Sequence, residues 1–353
     1  MNKTTLYFLG FFVMYSTNHA QVLLDANGAG NTYEEITAVL APGYDPVEEV
    51  CNHSAFGRHI DEIWDATLSD NVFRFIMHLS PDDNKCVTAD RQRNEIKTYD
   101  QSPDNLLGVT GETVEYKWKF KLDAGFQSSP DFTHIHQLKA VGGTESSMPL
   151  ITLTTRYGSS NDKLQLRYAE TTSQTTIHEV DLTPFKGVWV EVTETVTYGE
   201  MGSGGAYDIE IIRVSDSAIL MSYTDADIRM WKTSADFIRP KWGIYRKNTQ
   251  TSYLRDEEVL FADFSIDEGS TLGINDVDFQ KVSIYPNPAR DYITIRSNQT
   301  IDKIVAHTIL GNKINLYAID ANKYDISNLK AGIYLITIKS INGNTITKKV
   351  VVH

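Results

Sequence analysis

The sequence predicts an all-β fold, and three observations carry that prediction. From Thr113 to Ile266, apolar and polar residues mostly alternate with a period of two, which is the spacing of half-buried strands. Turn residues interrupt this alternation at intervals of roughly ten residues, as they do in β-sandwiches. Only residues 34–41 and 59–68 have the spacing of short helices. We therefore expect two packed sheets rather than alternating strands and helices.

The clearest strand is EYKWKFKL, residues 115–122. Its aromatic and leucine side chains fall on one face and its glutamate and lysines on the other, so one face is buried and one meets water. The same alternation predicts strands at residues 90–99, 132–141, 150–157, 163–168, 188–198, 207–214, 218–224, 240–247 and 259–266.

Composition limits the classes of partner. The 353-residue chain has a formal net charge of −13 and a pI near 5.1, which argues against a general nucleic-acid or anionic-membrane binder. Residues 1–20 have the lysine, apolar stretch and small final residue of a secretory signal peptide, and no other segment is apolar over the roughly 18 residues of a membrane span. We expect an exported monomer.

Two cysteines lie in the N-terminal third of the chain, at Cys51 and Cys86. Export to an oxidising compartment makes a disulfide between them plausible. Sequence alone does not decide pairing, so two separate buried thiols remain the alternative.

The last 70 or so residues form a second predicted unit, reached through a polar linker at residues 268–281. Its motifs are SIYPNPARDYITI (283–295), YDISNLKAGIYLITI (324–338) and a basic ending followed by valines. Together they resemble the C-terminal sorting domain of the type IX secretion system of Bacteroidetes-like bacteria. The resemblance implies a small β-sandwich over residues 282–353 that engages the secretion machinery and directs the protein out of the cell or onto its surface.

The strand FTHIHQLKAV, residues 132–141, is unusually polar. If Ile135 and Leu138 are both buried, the alternation must break between them, and a β-bulge near His136 or Gln137 would reconcile the two. With such a bulge, His134 and His136 lie at one end of an open groove face while Gln137 and Lys139 approach it at the other. Without the bulge, only one of the two pairs faces the groove.

Three motifs resemble the strand signatures of jelly-roll polysaccharide lyases, most closely the ulvan lyases of polysaccharide lyase family 28. They are RNEIK (93–97), HIHQLK (134–139) and KWGIYRKN (241–248), within a resemblance that covers roughly residues 50–267. The family implies a concanavalin-like or laminin-G-like β-jelly roll over residues 21–267. It also implies β-elimination at a uronic acid of an acidic, sulfated algal polysaccharide, which requires no cofactor.

The resemblance implies roles for individual residues. Gln137 and Lys139 would bind the uronate carboxylate or abstract the C5 proton, and Tyr245 would transfer a proton to the leaving oxygen. Lys139 serves as base only if burial or neighbouring cations lower its pKa; otherwise Tyr245 performs both proton transfers and Lys139 neutralises the carboxylate. His134 or His136 is the alternative base, since histidine titrates near neutral pH. Tyr253 is a second candidate acid. Candidate contacts to carboxylate and sulfate are Arg93, Asn94, Arg156, Lys163, Arg167, Lys241, Arg246 and Tyr253.

A structural calcium ion at Asp263 is a further expectation, because carboxylates at sandwich edges offer hard oxygen ligands. Three rival functions remain open at this stage. A non-catalytic carbohydrate-binding module would present aromatic platforms for sugar stacking. A glycoside hydrolase would need two carboxylates flanking the bond. A surface adhesin could carry the same sorting tail.

Overall fold

The computed structural model describes residues 21–158, 160–269, 282–297, 300–308, 313–320, 322–340 and 345–353. They belong to two compact units, one within residues 1–271 and one within residues 272–353. The predicted signal peptide lies outside the described residues, and the predicted linker is described only at residues 268 and 269.

Among the described residues of the first unit there is one α-helix, α1 (Thr32–Leu40), with three 3₁₀ helices of three residues each, and the other elements are strands. The strands are β1 (Val22–Leu24), β2 (Val47–Glu48), β3 (Ile60–Asp65), β4 (Asp70–Met77), β5 (Arg91–Lys97), β6 (Thr113–Leu122), β7 (Thr133–Gly142), β8 (Ile151–Tyr157), β9 (Asp162–Tyr168), β10 (Thr175–Asp181), β11 (Trp189–Thr197), β12 (Ala206–Arg213), β13 (Ile219–Asp225), β14 (Ala235–Lys247) and β15 (Glu257–Gly269).

These strands form two antiparallel sheets. One, here called the back sheet, has the order β13-β12-β11-β6-β15-β4-β3, with β1 also paired to β15. The other, here called the groove sheet, has the order β10-β9-β8-β7-β14-β5-β2. Apolar side chains from the inner faces of both sheets form one core. The predicted all-β jelly-roll sandwich is therefore confirmed.

Period-two alternation explains most of the burial. In β6, Tyr116, Trp118, Phe120 and Leu122 are buried, and the lysines between them lie on the outer face of the back sheet among acidic partners. A strand with one apolar and one polar face is stable only where a second sheet covers the apolar face.

One helix prediction is confirmed and one is wrong. Residues 34–41 fall largely within α1, but residues 59–68 contain β3, which pairs with β4 from Ile60 opposite Phe75 to Asp65 opposite Asp70. The apolar residues Ile60, Ile63, Trp64 and Leu68 follow the helical period, but pairing with β4 overrides this local pattern and leaves Trp64 exposed while Glu62 is buried.

Two other local predictions are also settled. Cys51 and Cys86 form a disulfide. In β7 the register against β8 shifts between His134 and His136, so the predicted bulge exists and is centred on Ile135. Ile135 and Leu138 are both buried in the core.

The second unit is a small β-sandwich with its own core. Its strands are β16 (Ser283–Tyr285), β17 (Tyr292–Arg296), β18 (Ile301–Thr308), β19 (Lys313–Asn315), β20 (Tyr317–Asp320), β21 (Lys323–Asp325), β22 (Gly332–Ser340) and β23 (Thr345–Val352). They form one sheet in the order β16-β17-β21-β20 and a second in the order β19-β18-β22-β23. Within the part of the chain that is described, no helix has the length and apolar character needed to cross a membrane.

Candidate active site

The outer face of the groove sheet carries a groove of about 560 Å³. β5, β7, β8, β9 and β14 contribute side chains to it, together with the loop segments 147–149 and 172–174. No aspartate or glutamate is among the described residues that line it, although the whole chain is acidic. The six cationic side chains of the lining are Arg91, Arg93, Lys139, Arg156, Arg167 and Lys241.

Strand β7 supplies the centre of the groove through His134, Gln137 and Lys139. The bulge separates the two histidines. The His136 side chain points into the core, where its Nε2 lies 2.8 Å from Glu194 Oε2 and its ring packs against Trp118. The prediction that His136 faces the groove is therefore wrong, because the extra residue of the bulge moves it to the opposite face.

Strand β14 supplies Tyr245 and Lys241. The Arg93 guanidinium lies over the Tyr245 ring, 3.9 Å from its centroid, and the His134 ring is 5.8 Å away. Between the two β14 residues, Gly243 has a φ of 142°, and a side chain there would collide with the carbonyl oxygen of Asn94. The glycine of the K-x-G-x-Y motif thus lets β14 approach β5 closely.

Two carboxylates below the groove surface hold several of its cations. Glu48 Oε2 accepts hydrogen bonds from Arg93 Nη1, at 2.8 Å, and from Lys241, while Glu48 Oε1 is 2.6 Å from Lys97 Nζ. Glu95 Oε2 lies 2.7 Å from Lys241 Nζ and its other oxygen accepts a hydrogen bond from Gln137. Burial raises the pKa of Glu48, but its cationic neighbours outweigh burial and hold that pKa well below its usual range.

Lys139 has an unusual environment for an amine. Its Nζ donates to the carbonyl oxygens of Ser146, at 2.8 Å, and Ser147, at 3.1 Å. Burial, together with the neighbouring cations Lys241, Arg239 and Arg93, lowers the pKa of Lys139 to about 8. The Lys139 amine therefore loses its proton at a lower pH than an ordinary lysine does, and part of the population is neutral near neutral pH.

His134 is 6% exposed, and its Nδ1 shares a 2.8 Å hydrogen bond with Thr154 Oγ1. Burial and the nearby Arg167, Lys241, Arg156 and Arg93 lower the pKa of His134 well below its usual value. The imidazole is therefore neutral at neutral pH, and it is a weaker base than an ordinary histidine.

Strands β8 and β9 supply Arg156 and Arg167. Arg167 donates to Gln174, Gln165 and Thr176 side chains, none of which is charged. Neither arginine forms an ion pair with a described carboxylate, and each therefore presents an uncompensated charge to the groove. Burial and the proximity of Arg156 both lower the pKa of Arg167.

The structure does not bring every predicted residue to the groove. Asn94 and Arg246 are buried on the opposite face: Asn94 Nδ2 donates to the carbonyl oxygens of His59 and Ile76, and Arg246 donates to Gln92 and to the carbonyl of Arg255. Their predicted substrate contacts are therefore wrong, because each alternates with a groove-facing neighbour.

Three further predicted residues lie outside the groove lining. Lys163 sits opposite Arg156 at the far end of β8 and β9. Tyr253 packs against Tyr157, with ring centroids 5.3 Å apart. Asp263 forms an ion pair with Lys119 on the back sheet and belongs to neither group of clustered metal-ligand side chains found among the described residues. Calcium binding at Asp263 stays a prediction.

Sequence reasoning missed Glu48, Phe132 and Gln174 as parts of this site. Glu48 lies in the two-residue strand β2, which is too short to show any period. Gln174 comes from a loop, where alternation carries no information. Phe132 immediately precedes β7 and stacks on His134 at 4.5 Å, so its position beside the polar strand was an available signal.

Family models match both units of the chain. The polysaccharide lyase model matches residues 59–261, which is more than half of the chain and includes every groove strand except β2. The chain belongs to the polysaccharide lyase family. It is a polysaccharide lyase by this match, and the groove is its candidate active site. The model of the secretion system C-terminal sorting domain matches residues 283–353, so the lyase is secreted through the type IX system to the extracellular space or the cell surface.

Solved structures of other lyases are similar to this chain at low sequence identity. An endo-β-1,4-glucuronan lyase from the fungus Trichoderma reesei is similar at 14% identity with a TM-score of 0.47. The matched region covers 65% of this chain and 92% of the glucuronan lyase chain. A marine alginate lyase from Aplysia kurodai is similar at 14% identity with a TM-score of 0.49. The matched region covers 71% of this chain and 100% of the alginate lyase chain. No curated protein matches the lyase.

Proposed function

We propose that the lyase cleaves a sulfated, uronate-containing polysaccharide of the ulvan type by β-elimination. A base removes the proton at C5 of the uronate, the C4–O bond breaks, and a proton donor supplies the leaving oxygen, which leaves an unsaturated uronate end. The observation that carries the proposal is a groove whose described lining residues include six cationic side chains and no carboxylate, in a chain of net charge −13.

The uronate carboxylate must be neutralised before C5 can lose a proton, because a charged carboxylate opposes the developing enolate. Gln137, Arg93 and Lys241 are placed for this task at the centre of the groove. Glu48 and Glu95 fix these three side chains through hydrogen bonds and ion pairs. Donors fixed before the substrate arrives need no reorganisation during the reaction.

Lys139 is the proposed base. Burial and neighbouring cations bring the pKa of Lys139 to about 8, and a base is most efficient when its pKa is near the working pH. A neutral amine has two N–H groups and one lone pair. The carbonyls of Ser146 and Ser147 accept the two N–H groups, which leaves the lone pair free to accept the C5 proton.

Tyr245 is the proposed proton donor to the leaving oxygen. It lines the groove beside Arg93, whose guanidinium lies over its ring, and it pairs in register with His134. Tyr245, Gln137 and Lys139 line the same groove, and the proposal assigns the reacting sugar to the space between Tyr245 and Lys139, above Gln137.

Sulfate binding is assigned to Arg156 and Arg167. A guanidinium fork matches the oxygen geometry of carboxylate and sulfate, and these two have no carboxylate partner among the described residues. They lie on the opposite side of β7 from Arg93, so a second anionic group of the polymer can bind there while the uronate occupies the centre.

The test incubates the full chain with ulvan, desulfated ulvan, glucuronan, alginate and heparin, and follows the ultraviolet absorbance of unsaturated uronate. We expect absorbance to rise fastest with ulvan and the rise to be lost in Tyr245→Phe and Lys139→Met. Tyr253→Phe and Lys163→Met are matched controls that lie outside the groove lining and should retain activity.

Flat traces with all polymers, combined with retention of one of them by the folded protein, would replace this proposal with a non-catalytic binding function. Equal rates on ulvan and desulfated ulvan would leave β-elimination intact and remove the sulfate assignment.

A further inference from the structure

Three histidines and one aspartate converge on a single point outside the groove. His53 Nδ1 lies 2.6 Å from Asp82 Oδ1, His59 Nε2 lies 3.2 Å from the same oxygen, and His78 Nδ1 lies 3.1 Å from Asp82 Oδ2. One ligand atom from each of the four side chains lies within 4.8 Å of all the others. None of these residues has a part in the proposed polysaccharide chemistry.

The fold brings the four residues together from separate segments. His59 immediately precedes β3 and His78 immediately follows β4, so the antiparallel pairing of these strands places them at the same end of the hairpin. Asp82 follows in the next loop. The Cys51–Cys86 disulfide joins the segment that carries His53 to the loop that carries Asp82, so all four side chains are held by strand pairing or by a covalent link.

We propose that His53, His59, His78 and Asp82 form a binding site for a divalent transition metal ion, with Zn²⁺ as the preferred ion. Zinc is bound tetrahedrally by imidazole nitrogens at ~2.0–2.1 Å and by carboxylate oxygens at a similar distance, which separates neighbouring ligand atoms by roughly 3.3 Å. The contacts of His59 and His78 with the Asp82 oxygens, at 3.2 and 3.1 Å, are close to that spacing, and the His53 contact is shorter, at 2.6 Å.

The donor set selects the class of ion. Three imidazoles and one carboxylate suit zinc and its first-row neighbours, whereas calcium and magnesium require mainly oxygen ligands. Among the described residues, no lysine or arginine forms an ion pair with Asp82, so the metal would supply the positive charge that this buried carboxylate faces. A second cluster, Cys51 with Asp83 and Cys86, is excluded because both of its thiols are in the disulfide.

The surroundings fit a structural metal site. The Asp82 carboxylate also accepts the backbone N–H of His78 at 2.6 Å, which orients it toward the imidazoles. The Phe56 ring packs against all three histidine rings, with centroids 4.4–5.4 Å away, and limits access of water. Outer-shell contacts of this kind fix the orientation of metal ligands.

The site also connects to the groove through β5. Gln92 and Asn94 point away from the groove and donate to backbone carbonyls of the ligand segments, namely those of His59, His78 and Asp82. Arg93, between them, faces the groove. A bound metal would therefore hold the segments that support the strand presenting Arg93.

The test uses the full chain, purified without a histidine tag and stripped with a chelator while the disulfide stays intact. Calorimetric titration with Zn²⁺ should show one ion per chain and at least ~100-fold tighter binding than Ca²⁺. Saturating Zn²⁺ should raise Tm. His53→Gln and His78→Gln should each weaken Zn²⁺ binding by about tenfold or more, and His178→Gln, a histidine outside the cluster, should leave it unchanged.

Absence of stoichiometric Zn²⁺ binding by the stripped wild type would overturn the proposal, and so would equal affinity for Ca²⁺ or undiminished binding by a folded His53→Gln variant. His53 is partly exposed, so this variant is expected to fold. Should neither variant fold, visible absorption of the Co²⁺-loaded wild type decides the question: a four-coordinate spectrum supports the site, and an octahedral or absent spectrum refutes it. These readouts are independent of polysaccharide cleavage.

Discussion

The two sides of the groove hold their cations in opposite ways. On the side formed by β2, β5 and β14, here called the paired side, Arg93, Lys97 and Lys241 are compensated by Glu48 and Glu95. On the side formed by β8 and β9, here called the unpaired side, Arg156 and Arg167 contact no described carboxylate. Strand β7, with Gln137 and Lys139, separates the two sides.

This difference means that the cations of the paired side are held rigidly, whereas those of the unpaired side keep their charge free to bind a ligand. A buried cation bonded to a buried carboxylate is held in one geometry and its charge is partly cancelled, so the paired side, with three cations and two carboxylates, keeps one positive charge in excess for the uronate. A cation without such a partner keeps its charge for a ligand. The paired side is thus suited to fixing the donors that act on the reacting sugar, and the unpaired side to attracting and binding further anionic groups of the polymer.

The largest expected effect is on the paired side. Glu48→Gln should reduce the free energy of unfolding by ~3–5 kcal/mol, because it leaves buried cations without compensation. Since the pKa of Glu48 is depressed in the folded protein, its stabilisation is present above the unfolded pKa of ~4.3 and is lost as pH falls below it. Urea unfolding at neutral and acidic pH measures both effects.

Glu191→Gln is the matched control for that measurement, because Glu191 pairs with Lys119 at 3.3 Å on the solvent-facing side of the back sheet. A partly exposed pair of this kind contributes about 1 kcal/mol or less. If the two variants are equally stable, the paired side is not held by its carboxylates.

On the unpaired side, Arg167→Gln should raise KM for ulvan by roughly 10- to 100-fold while kcat stays nearly constant, because charge-assisted hydrogen bonds contribute ~1.5–3 kcal/mol. The loss should be larger at low salt than at high salt. Steady-state kinetics at two ionic strengths make the measurement. A fall in kcat with unchanged KM would place Arg167 in the chemical step instead.

The pH dependence of kcat/KM tests the role of Lys139, which lies on β7 between the two sides of the groove. As the base, Lys139 must be neutral, so kcat/KM should rise about tenfold per pH unit on the acidic side and level off above the pKa of about 8. Burial and then the neighbouring cations Lys241, Arg239 and Arg93 lower this pKa, and Glu95 opposes them. A pH–rate profile from pH 6 to 10 decides the point. Activity that falls through pH 8 would mean that Lys139 acts as a cation.

The smallest effect is expected at Lys163, which sequence reasoning assigned to substrate but which lies outside the groove lining. Lys163→Gln should change the initial rate on ulvan by less than about twofold, since surface substitutions typically contribute within ~0.5 kcal/mol. A change as large as that of Arg167→Gln would extend the unpaired side to the end of β9.

Much of this site was predictable from the sequence. Alternation placed Arg93, Arg156, Arg167, Lys241 and Tyr245 on the outer faces of their strands, and all five line the groove. The pattern of β7 also required a bulge. It did not place the bulge at Ile135, because its position depends on how β8 and β14 pair with β7, and so His136 was assigned to the wrong face.

The sequence by itself determined the β-sandwich, the sorting tail and the groove faces of long strands, because side chains of a strand alternate with a fixed period. Only the tertiary structure decided which charges cancel. Glu48 and Lys241 are 193 residues apart and meet because β2 and β14 both flank β5. The convergence of His53, His59, His78 and Asp82 likewise arises from strand pairing and a disulfide. Local periodicity carries no information about such long-range contacts.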